Sequence, residues 1–170
     1  MRTLIRALVV LAAVPLLAEN ATTTEVDAMR AVLKAQERAV RLHANKVILV
    51  AGSTSSFELP KEVAADIRSD YLAKNEKAVA LKEISGTQLP LRVADVAAFR
   101  ATSGYDWPRL AAKYPDADMV VEFSRPGFDA AQSAALVRVT LSRPTATKTY
   151  LYQLRLRDGQ WAVEQLNGPY

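Results

Sequence analysis

The dipeptide Asp158-Gly159 constrains this chain more than any other feature, because Asp-Gly supplies the two positive-φ residues that a two-residue hairpin loop requires. With those residues as the loop, Arg157 faces Gln160, Leu156 faces Trp161, Leu154 faces Val163 and Tyr152 faces Gln165. Side chains alternate across a strand, so Tyr152, Leu154, Leu156, Trp161 and Val163 share one face, while Gln153, Arg155, Arg157 and Glu164 share the other. The same alternation appears upstream. Val137, Val139 and Leu141 point inward against Arg138 and Thr140, and Met119, Val121 and Phe123 against Val120, Glu122 and Ser124. Residues 116–166 therefore read as four strands running back and forth, apolar beneath and polar above. Such a sheet must be covered on its apolar face, and the helical segments of the first two thirds are the candidates. The expected class is α+β, with the helices on one face of a C-terminal four- or five-stranded antiparallel meander.

A chain of 170 residues, half of them hydrophobic, is long enough to bury a core without staples, since a domain near 150 residues buries about 68–70% of its unfolded surface. The chain has no cysteine, which excludes disulfides, thiolate catalysis and cysteine-ligated metal centres. Residues 1–18 read as a secretory signal. Arg2 and Arg6 form a positive start, and residues 7–18 form an apolar run too short for the roughly 20 residues a bilayer span takes. Cleavage after Ala18 leaves Leu16 where a small residue is preferred, so a retained anchor is the alternative to removal. The expected location is periplasmic or extracellular, with no stable span once the signal is removed and residues 19–170 as one domain. Taking Arg2 and Arg6 from the 22 basic residues leaves 20 against 18 acidic ones, a net of +2. With no dense Lys/Arg run interleaved with aromatics, nucleic acid is not an expected partner.

Along the chain, Thr22-Thr23-Thr24-Glu25 resembles a capping box ahead of a helix over residues 25–44, with Val26, Met29, Leu33 and Val40 on a modest apolar stripe. Arg30, Lys34, Glu37, Arg38 and Arg41 form its solvated side. Val47-Ile48-Leu49-Val50-Ala51 reads as a buried strand, either a fifth strand or an edge bracketing the meander. Pro60 opens a helix over residues 61–74, with Val63, Ile67 and Tyr71 on one side and Glu62, Asp66 and Asp70 on another. That acidic line is better explained by the helix macrodipole than by calcium, which needs a loop that wraps oxygens around it. Residues 75–92 read as a connector and residues 93–101 as a short helix. Asp106 caps a further helix from Trp107 with Pro108 in its first turn, and Trp107, Leu110, Ala111 and Tyr114 form its core stripe.

The residues Trp107, Tyr114-Pro115, Phe123-Ser124-Arg125-Pro126-Gly127-Phe128-Asp129, Ala135-Leu136-Val137, Tyr150, and Asp158-Gly159 followed by Trp161 resemble an uncharacterised group of exported bacterial proteins. The likeness covers roughly residues 47–163. Pro126 stands where that group usually has valine, and Asp129 where it usually has asparagine. The resemblance implies export and a domain type, and leaves activity open.

No cluster names a reaction, and the expectation is no catalytic residue, no metal and no cofactor. His43, the only histidine, has no Gly-x-Ser-x-Gly elbow to serve and sits at the polar end of the first predicted helix. Asp116, Asp118 and Glu122 are the carboxylates that a hydrolase of envelope glycan would use, though turn and strand roles explain them more simply. The segment of residues 124–133 is the most informative for binding. On a structural reading it closes a hairpin, with Phe128 against the sheet and Asp129 bonding its own backbone. On a functional reading Arg125 anchors an anion or carboxylate with help from Arg138, Arg155 or Arg157 on the outward face, beside Phe128 and Asp129. The favoured function is an exported, non-catalytic binding or interaction module that meets an envelope protein or glycan. The alternatives are the carboxylate-dependent hydrolase and a small-ligand-binding domain.

Overall fold

The computed structural model describes residues 19–37, 40, 42–55, 59, 63–102 and 104–170. The predicted signal, Arg38, Arg41, Pro60 and Glu62 lie outside them. In chain order the elements are α1 (Thr23–Gln36), β1 (Val47–Ala51), α2 (Ala65–Lys74), β2 (Leu91–Ala94), β3 (Arg100–Ala101), β4 (Gly104–Tyr105), α3 (Trp107–Lys113), β5 (Ala117–Phe123), β6 (Gly127–Phe128), β7 (Ala134–Arg143), β8 (Ala146–Arg157) and β9 (Gln160–Asn167). None of the described helices is long and apolar enough to cross a membrane.

Local chemistry sets several boundaries. At the start of α1, Thr22 Oγ1 accepts from the Glu25 N–H at 3.3 Å and Glu25 Oε2 accepts from the Thr22 N–H at 2.8 Å, a reciprocal capping box. Asp106 caps α3 by accepting from the Arg109 N–H at 3.2 Å, with Pro108 in the first turn. Asp158 and Gly159 both take positive φ, 51° and 74°, and the β8–β9 pairing begins at Arg157 and Gln160 as their loop requires.

Four strands, β5, β7, β8 and β9, pair antiparallel in that order, and β6 continues the line of β5 along β7. The sheet does not stop there. β1 lies inside it, parallel to both β2 and β5, so the seven-stranded sheet is mixed and β1 is neither an extra meander strand nor an edge. Its unbroken apolar run suits a strand buried on both faces. β2 falls where a connector and a short helix are expected. The i, i+3, i+4 spacing of Val93, Val96 and Ala97 is that of a helix, but β1 offers ladder partners to residues 91–94, and only one 3-10 turn, Ala97–Phe99, forms there. The first helix also ends at Gln36 rather than near residue 44, which leaves His43 outside it.

Helices cover both faces of the sheet, not one. On one side Met29, Val32 and Leu33 of α1 pack on Ile48, Val50, Val121, Phe123, Val137, Val139, Tyr152 and Leu154. On the other, Leu110 of α3 packs with Phe99 and Tyr105 on Leu49 and Val120, and Tyr71 of α2 packs on Leu136 and Leu151. The face expected to be wet therefore buries Val120, Glu122, Ser124 and Thr140. Parallel strands force this, since their long crossovers carry α2 and α3 over the second face.

At the β9 edge the register shifts between Gln153 and Leu154, so Leu154 faces Val163 but Tyr152 faces Leu166 instead of Gln165. Glu164 is the extra residue of this bulge, a common device on an exposed edge strand. Edge position also limits burial there. Leu154 is 1% exposed, Trp161 is half-buried against Phe128 with ring centroids 5.5 Å apart, and Leu156 is 38% exposed.

Candidate functional site

Of the five residues singled out for binding, Phe128 and Asp129 line one open cleft with Asp66, Asp70 and Lys74, Arg155 lines another, and Arg125 is engaged in the packing. Arg125 is buried, with Nε donating to Glu25 Oε1 at 2.9 Å and Nη1 to the Lys74 carbonyl at 3.4 Å. Asn75 clamps its backbone from both sides, accepting from the Arg125 N–H at 2.8 Å and donating to its carbonyl at 2.9 Å. That guanidinium ties the start of α1 to the end of α2. The Phe128 N–H donates to Asp70 Oδ2 at 2.7 Å, and its ring lies 4.4 Å from Lys74 Nζ. Asp129 accepts from Ala134 N–H at 2.9 Å and from both N–H and Oγ of Ser133 at 2.7 Å, and these donors hold its carboxyl below the usual range. Arg138 follows the opposite face from Val137 and Val139, with its backbone N–H donating to Ser124 Oγ at 3.0 Å. Arg155 stands 3.5 Å from Glu164, at a cavity between α2 and β8 floored by Ile67 and Leu136. Arg125 is thus engaged with Glu25, and Arg155 with Glu164.

The carboxylates are similarly engaged. Asp116 pairs with Arg92 at 2.6 Å, and that hydrogen bond holds its carboxyl below the usual range. Glu122 is buried against Arg100, with Ser55 Oγ donating to it at 3.4 Å, while burial and the neighbouring Glu122 push the Tyr105 hydroxyl up. Asp118 is the extra residue where the β1–β5 register shifts, between the Val47–Ala117 and Ile48–Met119 pairs. It meets His43 Nδ1 at 2.5 Å and Arg143 Nη2 at 3.4 Å. On α2, Asp70 is paired with Lys74 at 2.7 Å and Asp66 accepts from the Ile67 N–H at 2.9 Å. Among the described residues no His, Asp and Glu group is placed to hold a metal ion.

An open cleft of about 320 Å³ lies on the α1 side, at the turn end of the long β7–β8 hairpin. Its origin is a mismatch of lengths. β7 and β8 run for 10 and 12 residues, and their inward alternation continues past the last turn of α1. Gln36, the final residue of α1, marks the limit of the helix's cover, its side-chain amide donates to the Tyr152 hydroxyl, and among the described residues beyond it Val40 and Leu42 still pack against the same core. Burial pushes that hydroxyl up to about 12. Beyond it, Met119, Leu141 and Val40 give the cleft an apolar floor and wall, and Tyr150 closes one side. Cross-strand register explains the rest: Leu141 faces Lys148 and Arg143 faces Ala146, so two cations share the inward face with Leu141 around the turn. The result is a greasy floor with a basic rim, within the lower range of small-molecule sites.

None of the sequence-selected binding residues lines this cleft. The signal was present in the chain, as Arg143 and Lys148 continue the inward alternation of Val137, Val139 and Leu141 across the Pro144-Thr145 turn. It carries meaning only once the end of α1 is known. Compared with family models, with curated proteins and with solved structures, the chain gives no match.

Proposed function

We propose that this protein is an exported, non-catalytic binding module that holds a small molecule in the cleft at the turn end of β7 and β8. The observation that carries this reading is the cleft itself, where the apolar floor of the sheet outruns the helix that covers it elsewhere. Binding rather than catalysis is supported by the state of the acids. Asp116, Asp118 and Glu122 each face an arginine, so each carboxylate has a structural partner. Export is supported by the positive start and apolar run of residues 1–18 and by the resemblance to exported bacterial proteins. An envelope constituent is the natural class of ligand for a protein so located.

The test is a heteronuclear NMR titration of isotope-labelled protein with fractionated envelope extract. Binding in the cleft shifts the Met119 and Leu141 methyl signals and leaves those of Leu110 and Leu136 in place. Extracts that never move the cleft signals would overturn the reading. So would glycan or ester turnover that disappears in Asp118→Asn or Glu122→Gln at unchanged melting temperature.

A further inference from the structure

We infer that the cleft takes a small amphipathic anion, an apolar chain or ring system ending in a carboxylate or comparable acidic head; this rests on the binding-module reading above. Apolar matter is called for by the partly covered Val40 and Leu141, which with the buried Met119 beneath them form a surface continuous with the core on the α1 side. Burial of such surface favours a ligand by about 25 cal/mol for each Å² removed from water. The head group is called for by the rim. Arg143 and Lys148 both line the cleft, and the acid nearby, Asp118, faces Arg143 at 3.4 Å and His43 at 2.5 Å. Lys148 makes no ion pair among the described residues, and its exposed ammonium is the cation a bound acid meets. A ligand carrying a positive charge would meet the wrong sign, and an uncharged amphiphile would leave the ammonium without a counter-charge.

The experiment is isothermal titration of the full chain with sodium octanoate, 1-octanol and octylammonium chloride at equal ionic strength. Octanoate is expected to bind one to one, at least tenfold more tightly than octanol, with octylammonium weakest. Lys148→Glu, at an exposed position that leaves melting unchanged, is expected to weaken octanoate about tenfold or more and to leave octanol within a factor of two. Ala146→Trp, which fills the cleft from the exposed turn end, is expected to abolish both. Equal binding of octanoate and octanol, or octanoate affinity indifferent to Lys148→Glu, would overturn the anionic head while the module reading stands. If none of the three probes binds and envelope extract still moves the Met119 and Leu141 signals, this ligand class is wrong and the proposed function survives. If the extract moves nothing as well, both fail.

Discussion

The two ends of the β7–β8 hairpin share one alternating pattern and have opposite fates. At the β6 end, Ala135 and Leu154 are buried beneath α1, and Arg125, Glu25 and Asn75 lock the ends of α1 and α2 to the intervening loop. At the turn end, Leu141 and Tyr150 continue the same face but are only partly covered, and Arg143 and Lys148 border the opening. The strands do not differ in kind between these ends. The reach of α1 does, and Gln36 on the Tyr152 hydroxyl marks the boundary. A surface of this sort becomes a site where its cover runs out.

The largest expected effect breaks the packed end. Arg125→Ala leaves the Glu25 carboxylate, 1% exposed, without its ionic partner, and should cost about 3–5 kcal/mol in a denaturant titration. The paired change Glu25→Gln with Arg125→Met should recover much of that loss, because the isolated buried charge and not the missing attraction is the source of the penalty. Gly127→Ala is next. A Cβ there would lie 2.5 Å from Tyr71 Cβ and 2.7 Å from the Ile67 carbonyl oxygen, so α2 must retreat from β6, and about 1–3 kcal/mol of overpacking should appear as a lowered midpoint.

The boundary residue is tested by pH. Tyr152 has its hydroxyl raised from 10.0 to about 12 by burial, so above about pH 10 the unfolded chain gives up a proton that the folded one keeps. Stability is therefore present below pH 10 and lost as pH rises toward 12, and burial raises Tyr71 and Tyr105 with the same sign. Thermal melts across that window should show the decline, and Tyr152→Phe should flatten part of it. The smallest effects belong to the open end. Leu141→Ala should cost about 1 kcal/mol, below the roughly 2–5 typical of a fully buried leucine, and Lys148→Glu should stay within about 0.5 kcal/mol of the parent. If Leu141→Ala instead costs as much as Leu154→Ala, the two ends are packed alike and the contrast between them fails.

Much of the fold was legible where a short stretch carries its own reason. The Asp158-Gly159 loop, the Thr22–Glu25 box, the Asp106 cap and the inward alternation of β5, β7 and β8 are all readable without tertiary knowledge. Illegible were features decided by a distant partner. Val93 and Ala94 fit a helix or a strand until β1 supplies their ladder, and Tyr152 loses Gln165 to Leu166 because Glu164 bulges at an edge. The candidate site was legible only as the five residues around the residue 124–133 loop and the two neighbouring strands. The structure uses Arg125 to hold helix ends together and lines other clefts with Phe128, Asp129 and Arg155, while the cleft at the turn end of β7 and β8 takes none of the five.

From its residues alone, then, this chain determines its turns, its caps and which side chains along each strand share a face, because these depend on φ preferences and on a period of two. Which strands become neighbours, which face each helix covers and where that cover ends were decided only in three dimensions. Those outcomes depend on burial and hydrogen bonds between residues far apart in the chain, whose energies no local window contains.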